Sequence, residues 1–369
     1  MNNWKIKKLR DIAEINPKET LKKGSVCKKI SMDKLIPYCR DIDDFELGAF
    51  NGGAKFRNGD TIMARITPCL ENGKISQINC LNQDEVGFGS TEFIVFRAKE
   101  GVDKDFLYYL IISDLVKQPA IKSMVGSSGR QRVQNDVVAD LDIKIPELSE
   151  QRRIGALLKD LDDKIHINGQ INKNLEKQAI AIFRSYFPKI NEGNKTIGDY
   201  IIPKRGKNLS SQNAKNGIVP VIAGGIAPSI YHNIANTAAP VITISASGAN
   251  AGYVGLWQVP VWASDSSFID YSMTKNTFFW YVLLKTRQKE IFDSQTGSAQ
   301  PHIFPQHIAE MPICSIKESD INEYSKLVSP LFKEIAKNSL ENKTIENIRN
   351  AILLKLMNGE LTLSIKKTL

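Results

Sequence analysis

Residues Leu161 to Ile182, LDDKIHINGQINKNLEKQAIAI, have a second copy 170 residues later, from Leu331 to Ile352, LFKEIAKNSLENKTIENIRNAI. Apolar residues and asparagines of the two copies fall in register, which indicates one long duplicated unit rather than short tandem repeats. Weaker matches lie upstream, where Gly73-Lys-Ile75 pairs with Gly252-Tyr-Val254 and Glu92-Phe-Ile94 pairs with Ser267-Phe-Ile269. The sequence therefore predicts two copies of one structure.

Both copies have the spacing of long coiled-coil helices. Apolar residues step by alternating threes and fours over residues 149–187 and over 320–357, and Pro188 and Gly359 follow as helix stops. Each helix would run about 57 Å, at about 1.5 Å per residue. We expect antiparallel packing that holds the two β-rich regions apart around a pseudo-two-fold axis. The predicted seam comprises Leu158, Leu161, Ile165, Asn168, Asn172, Leu175, Ile182, Leu331, Ile335, Asn338, Asn342, Ile345 and Ile352.

The centre of this seam is polar. Asn168 and Asn172 occupy seam positions in the first helix, and Asn338 and Asn342 occupy the equivalent positions in the second. A buried asparagine weakens a coiled coil but fixes its register, because a mismatched amide would lack a hydrogen-bond partner. The alternative is that this part of the seam is exposed.

Composition indicates an ordinary soluble protein, and the mixture of strand-like and helical patterns predicts the α+β class. The chain has 369 residues, of which 42% are hydrophobic and 24% are charged, enough for two or three domains. Pattern divides it into a mixed region at 1–148, a spacer helix at 149–190, a second mixed region at 191–318 and a second spacer helix at 319–369. Shorter helices are predicted near 104–116 and 278–292, and strands at 61–66, 92–97, 241–244, 259–262 and 268–271.

Several features bear on location and partners. No apolar run is long enough to span a bilayer, and the first residues lack the apolar stretch of a signal peptide. Five unclustered cysteines favour free thiols in the reducing cytoplasm, with no membrane partner. The formal charge of +9 favours a polyanionic partner. Because this charge is spread along the chain, nucleic-acid contact would have to come from local clusters on folded surfaces.

Particular motifs carry a family resemblance. Residues 65–74, RITPCLENGK, followed by GSTEF at 89–93, resemble target-recognition domains of type I restriction–modification specificity subunits. So do GSSGRQ at 126–131, DIKIP at 142–146 and the helix start PELSEQRRI at 146–154. The second half repeats the theme with TGSAQPHI at 296–303 and MPI at 311–313, although SDIN at 319–322 lacks the Glu-Gln pair. The two helix starts therefore need not make the same subunit contacts.

The resemblance covers essentially the whole chain and implies a non-catalytic adaptor. In such a protein each recognition domain reads one half of a split double-stranded DNA target. The helices set the unread spacer and dock two methyltransferase subunits, to which restriction/translocase subunits can add. S-adenosylmethionine would bind the partner methyltransferase, and no cofactor is expected in this chain. The implied subunit interface comprises Glu150, Gln151, Arg152 and Arg153.

Candidate DNA contacts follow from side-chain chemistry, because phosphates attract Lys and Arg while base edges pair with Arg, Gln, Asn, Ser and Thr. In the first mixed region, residues 1–148, called the first head, the candidates are Arg65, Thr67, Lys74, Ser90, Thr91, Arg130, Gln131 and Arg132. In the second they are Lys204, Arg205, Lys207, Asn250, Tyr253, Ser264, Ser266, Ser298, Gln300 and His302. For each, the alternative is an ordinary solvated loop side chain.

Other functions are less well supported by the sequence. Asp60, Glu71 and Lys74 mimic the order of a metal-dependent nuclease, but the family motif accounts for 71–74 as a turn. His302 and His307 lack the further ligands that a metal site needs. No methyltransferase motif is present. The main alternative to a DNA reader is a coiled-coil assembly scaffold that binds no DNA.

Overall fold

The protein, examined as a computed structural model, is described at residues 4–127, 129–297 and 300–363. It divides into two compact units. Unit 1 contains residues 4–168 and 341–363, and unit 2 contains residues 169–340. This division cuts each long helix in two, whereas the four segments predicted from sequence separate helices from heads. That four-segment scheme stays a prediction.

Unit 1 contains three sheets and four short helices besides its parts of the long helices. Its elements are β1 Lys5–Lys8, α1 Leu9–Ile12, β2 Ala13–Ile15, β3 Val26–Ile30, a 3-10 turn Met32–Lys34, β4 Glu46–Ala49, β5 Lys55–Phe56, β6 Thr61–Ala64, β7 Ile75–Gln77, β8 Gly87–Gly89, β9 Phe93–Ala98, α2 Lys104–Ile112, α3 Asp114–Lys122, α4 Asn135–Ala139 and β10 Asp142–Ile145. The first long helix, α5 Leu148–Tyr186, follows.

Strands β6 and β9 are buried along both faces, so they form the centre of the unit. They lie in an antiparallel sheet with the order β2-β9-β6-β7. A second sheet, β4-β3-β8-β5, contains the parallel pair β3 and β8, and β1 pairs with β10. Because side chains alternate along β9, Ile94 and Phe96 join the core under the helices. Phe93 and Val95 face the other way into a second core.

Unit 2 repeats this arrangement. Its elements are β11 Lys195–Thr196, a 3-10 turn Ile197–Asp199, β12 Lys204–Arg205, a 3-10 turn Ser211–Asn213, β13 Val219–Ile222, β14 Ile230–His232, β15 Val241–Ser245, β16 Val254–Trp257, β17 Trp262–Ala263, β18 Ser266–Asp270, α6 Thr277–Thr286, α7 Gln288–Asp293, α8 Pro305–Ala309, β19 Pro312–Ile313 and the second long helix α9 Glu318–Met357. The sheet β12-β18-β15-β16 corresponds to β2-β9-β6-β7. Likewise β14-β13-β17 includes a parallel pair, and β11 pairs with β19.

The two long helices pack together through the asparagines of the seam. In unit 1 the Asn168 side-chain amide donates to Asn342 Oδ1 at 2.9 Å, and in unit 2 the Asn338 amide donates to Asn172 Oδ1 at 2.9 Å. The residue numbers of both pairs have the same sum, as an antiparallel register requires. Asn168 is 1% exposed and Asn338 is 5% exposed, so the alternative of an exposed seam is wrong. The predicted α+β class with two long paired helices is confirmed.

The remaining seam residues differ in depth. Leu158 is fully buried. The other apolar seam residues are half-buried, namely Leu161, Ile165, Leu175, Ile182, Leu331, Ile335, Ile345 and Ile352. In unit 1 the helix pair also encloses an ion pair that pattern analysis did not predict. Arg349 and Asp162 contact each other with side chains only 6% and 4% exposed, and the Tyr109 hydroxyl donates to Asp162 at 2.6 Å.

Several predicted elements have different bounds. The helix predicted near 104–116 is two helices, because Ser113 has an extended backbone (φ −68°, ψ 158°) and its hydroxyl donates to the Leu110 carbonyl at 2.7 Å. The helix predicted near 278–292 is likewise two, broken at Arg287. The strand predicted at 259–262 is Trp262–Ala263, and the one predicted at 61–66 ends at Ala64. None of the described helices is long and apolar enough to cross a membrane.

Candidate nucleic-acid interface

In unit 1, three backbone hydrogen bonds gather candidate DNA contacts at one edge of the central sheet. Arg65 directly follows β6, and its N–H donates to the Glu92 carbonyl at 2.9 Å. The Thr67 N–H donates to the Gln131 carbonyl at 3.1 Å, and the Val133 N–H donates to the Arg65 carbonyl at 2.8 Å. Loop residues 131–133 are thereby fastened beside the end of β6. Arg65, Thr67, Gln131 and Arg132 come together there, next to Glu92.

The charged pair at this edge is Arg132 and Glu92. Arg132 Nε donates to Glu92 Oε1 and Oε2 at 3.0 and 2.9 Å, and Nη2 donates to Oε1 at 2.6 Å. These bonds hold the pKa of the Glu92 carboxyl below its ordinary value. The Arg132 side chain is 46% exposed and that of Glu92 is 24% exposed. A cationic group is therefore held in one orientation at the surface.

Unit 2 has the same backbone framework. The Ala246 N–H donates to the Asp265 carbonyl at 3.1 Å, the Gly248 N–H to the Pro301 carbonyl at 3.2 Å, and the Ile303 N–H to the Ala246 carbonyl at 2.9 Å. These bonds match the three of unit 1 in order and direction. The isolated β-bridges of the loops match too. Arg132 forms β-bridges with Ile66 and Val125 in unit 1, and His302 forms them with Ser247 and Thr296 in unit 2.

The framework assigns each position of unit 1 a counterpart with a different side chain. Arg65, Thr67, Glu92, Gln131 and Arg132 correspond to Ala246, Gly248, Asp265, Pro301 and His302. The sequence match had set Glu92 opposite Ser267, which is two residues too far along. A shift of two residues keeps every side chain on the same face of a strand, so apolar pattern alone could not detect it.

Asp265 also holds an arginine, but from another strand. Arg205 of β12 donates from Nη2 to Asp265 Oδ1 at 2.7 Å, and the Ser247 hydroxyl contacts Oδ2 of the same carboxylate. The Arg205 side chain is 42% exposed. Sequence reasoning singled out Arg205 but missed Asp265, Ser247 and the role of Glu92. The available signal was that each acid is the residue immediately before a central strand, Glu92 before β9 and Asp265 before β18.

Most other candidates lie on the surface. Thr91, Arg130, Lys204, Lys207, Asn250 and Gln300 are exposed, and Ser90 is half-buried. Lys74 is half-buried and donates to the Met32 carbonyl at 2.8 Å. Tyr253 is half-buried under the Lys285 ammonium, which lies 4.9 Å from the ring centre. Ser298 lies outside the described residues.

Ser264 and Ser266 lie inside unit 2 rather than at its surface. Ser264 is 3% exposed and its hydroxyl accepts from the Leu209 N–H at 3.0 Å. Ser266 is fully buried and its hydroxyl donates to the Ile222 carbonyl at 3.2 Å. Because both hydroxyls are engaged in the fold and closed to solvent, neither is carried into the proposal for DNA contact.

Of the residues assigned to a subunit interface, Gln151 has an internal structural role. It is 2% exposed, its amide donates to the Pro146 carbonyl at 2.9 Å, and its Oε1 accepts from the Asp103 N–H at 3.0 Å. Gln151 therefore joins the start of α5 to the head. Arg152 and Arg153 are exposed and Glu150 is half-buried, so these three stay candidates for partner contact.

The nuclease-like arrangement has a structural explanation. Asp60 is 2% exposed and accepts from Arg97 Nε and Nη2 at 2.8 and 2.7 Å, which accounts for its charge without a metal. Across the described ranges no group of three or more His, Cys, Asp or Glu side chains is placed to hold a metal ion. The aromatic run that opens α6 is part of the core, with Phe279, Trp280 and Tyr281 all buried.

Known proteins resemble this chain in sequence and in fold. Residues 1–177 match the family described as type I restriction modification DNA specificity domain. The MjaIX specificity subunit of Methanocaldococcus jannaschii is 25% identical over an alignment of 304 residues, which covers 71% of this chain and 70% of that protein. The EcoAI specificity subunit of Escherichia coli is 30% identical over 161 residues, 42% of this chain but 27% of that protein. The crystal structure of the type I restriction–modification S subunit from M. genitalium shares the fold, with a TM-score of 0.56 over 96% of both chains at 17% identity.

Proposed function

Because this chain belongs to the family of type I restriction–modification specificity subunits, we propose that each of its two units reads one half of a bipartite DNA target. The family role is DNA target recognition by a non-catalytic subunit. The proposal adds that each unit contacts the bases through one surface, called its reading edge. The reading edge consists of the residues that the three backbone hydrogen bonds hold together, at the end of β6 in unit 1 and at the end of β15 in unit 2. It further assigns the spacing of the half-sites to the paired helices.

The observation that carries the proposal is one framework with two sets of side chains. Five corresponding positions differ in charge, size or hydrogen-bonding capacity, from Arg65 against Ala246 to Arg132 against His302. Sequence-specific reading depends on side chains that reach base edges, while backbone position sets the approach. Two units with one backbone and different side chains suit two different half-sites.

The long helices suit a spacer. α5 has 39 residues and α9 has 40, and the asparagine pairs fix one register between them. A buried amide tolerates only the register in which its partner is present. Two readers on one duplex need a set distance and angle, as in other bipartite DNA readers. We place the docking of two methyltransferase subunits, which would bring S-adenosylmethionine, on the exposed surface of this helical region.

Methylation mapping tests the proposal. The full chain is combined with the methyltransferase subunits of its own organism, and modified sites are sequenced genome-wide. We expect two short specific blocks separated by a fixed number of unread base pairs. Modification at one continuous block, or at no consensus, would count against bipartite reading.

Salt dependence distinguishes a DNA reader from a scaffold that binds no DNA. Binding of the full chain to duplex DNA should weaken steeply with salt, with a log–log slope near −0.9 for each phosphate neutralised. A slope near zero would favour the scaffold.

Paired insertions test the spacer. One added heptad in both α5 and α9 lengthens each helix by roughly 10 Å, at about 1.5 Å per residue. The unread spacer should then grow by about three base pairs, since a base pair rises about 3.4 Å. The matched control is an insertion in one helix only, which should misalign the asparagines and destabilise the protein. An unchanged spacer after the paired insertion would be the contrary result.

A further inference from the structure

We propose that Glu92 is a positioning residue that presents Arg132 to a guanine in the DNA major groove. This inference rests on the proposed function and deepens it by naming a base and the side chain that reads it. It starts from the edge of the guanidinium that Glu92 occupies. Arg132 donates hydrogen bonds from Nε and Nη2 to Glu92, so the edge of the guanidinium that carries Nε, called its inner edge, is occupied.

The outer edge of the same guanidinium is open. No residue in the described part of the chain accepts a hydrogen bond from Nη1 of Arg132, and the side chain is 46% exposed. A guanidinium has five N–H donors in a rigid plane, so fixing the inner edge also fixes the direction of the outer one. Nη1 and the second N–H of Nη2 remain together as a two-donor fork.

A two-donor fork matches guanine better than any other base. Guanine presents O6 and N7 as adjacent acceptors in the major groove, and arginine in bidentate contact is the commonest way to read them. A phosphate would also accept this fork, but a phosphate contact needs no fixed orientation and carries no sequence information. The two-oxygen clamp by Glu92 restrains a flexible side chain before DNA arrives, which favours a directional contact.

Unit 2 places an acid at the same backbone position. Asp265 holds Arg205 by one hydrogen bond at 2.7 Å and shares its other oxygen with the Ser247 hydroxyl. One bond constrains a guanidinium less than the three between Arg132 and Glu92. We therefore expect Arg205 to discriminate less sharply than Arg132.

The test uses the full chain in complex with its methyltransferase subunits and compares wild type with R132A, R132K and E92Q. The matched control is R10A, since Arg10 also forms an exposed ion pair with an acid, Asp140 at 2.5 Å, but is not a candidate DNA contact. The readout is the preference for each base at each position of both half-sites, obtained by methylation of a randomised duplex library. Melting temperatures verify that the variants fold.

We expect R132A to lower discrimination at one guanine of one half-site by roughly 5- to 150-fold, the range of a lost bidentate contact. R132K keeps the charge but not the fork, so it should lose discrimination at the same position while retaining most affinity. E92Q should fall between wild type and R132A, and the other half-site should stay unchanged in all variants. R10A should leave every base preference unchanged.

Three results would overturn the inference. The first is a uniform loss of affinity for all bases in R132A with recovery in R132K, which identifies a phosphate contact. The second is a wild-type half-site without guanine at the position that R132A affects. The third is full discrimination in E92Q, which would leave Glu92 without a positioning role. Failure of the proposed function is distinguishable, because the wild-type complex itself would then give no bipartite consensus.

Discussion

Unit 1 and unit 2 have the same backbone arrangement but differ in the side chains that pack against it. Beneath the long helices, unit 1 buries the ion pair of Asp162 and Arg349 with the Tyr109 hydroxyl. At the position that the 170-residue repeat matches to Asp162, unit 2 has Phe332, whose ring centre lies 4.6 Å from that of Phe278 and 5.8 Å from that of Tyr281. The reading edges differ in the same way. Hydrogen-bonded backbone is thus the shared part of the duplicated structure, and side chains are its variable part in both core and surface.

The largest expected effect comes from breaking the buried ion pair of unit 1. Replacing Arg349 by Met leaves the Asp162 carboxylate buried without its partner, and we expect a loss of about 3–5 kcal/mol in the free energy of unfolding. The double variant D162L/R349M removes both charges and should recover most of that loss. Urea unfolding of the full chain measures both. A double variant as unstable as the single one would show that unit 1 depends on the ion pair itself.

The asparagine pairs test whether the two units are equivalent at the seam. N168A removes an amide that bonds Asn342, and N338A removes one that bonds Asn172. Each change deletes a buried amide and leaves the side-chain oxygen of a half-buried asparagine without this donor, so each should cost about 1–3 kcal/mol. Because the two pairs are related by the repeat, the two losses measured by urea unfolding should agree within about 0.5 kcal/mol. A large difference would break the equivalence.

Acid sensitivity of unit 1 should depend on Glu19. Hydrogen bonds from Arg57 and Arg97 lower the pKa of its carboxyl, and the side chain is 8% exposed. A lowered pKa in the folded state stabilises the fold above the unfolded value of about 4.3, and this contribution is lost as pH falls through the folded pKa. E19Q should therefore be less stable than wild type at pH 7, by about 1–3 kcal/mol, and the gap should close below about pH 4. A gap independent of pH would contradict this assignment.

The smallest stability effect is expected at the reading edge. Arg132 and Glu92 form an exposed pair, and such pairs contribute about 0–1 kcal/mol to stability. E92Q and R132A should hardly change the midpoint of thermal unfolding while changing base preference. A large drop in thermal stability would instead mark this pair as part of the framework.

The duplicated sequence predicted the features that periodicity controls. Asn168 and Asn338 were placed in a buried seam because their spacing matched in both copies. The sequence match between the repeats aligns β9 with β18 two residues too far along, because apolar alternation looks the same after such a shift. Small polar side chains give no periodic signal, so the sequence does not show that Ser264 and Ser266 are buried. The pair of Asp162 and Arg349 could not be predicted, because their contact depends on tertiary packing between residues that are distant in sequence.

The most direct test of two independent readers is a head exchange. Residues 191–318 are replaced by the second head of another specificity subunit of this family, with both long helices retained, and methylated sites are mapped genome-wide. We predict that one half-site changes while the other half-site and the spacer length stay as in wild type. A change in both half-sites, or in neither, would contradict the account.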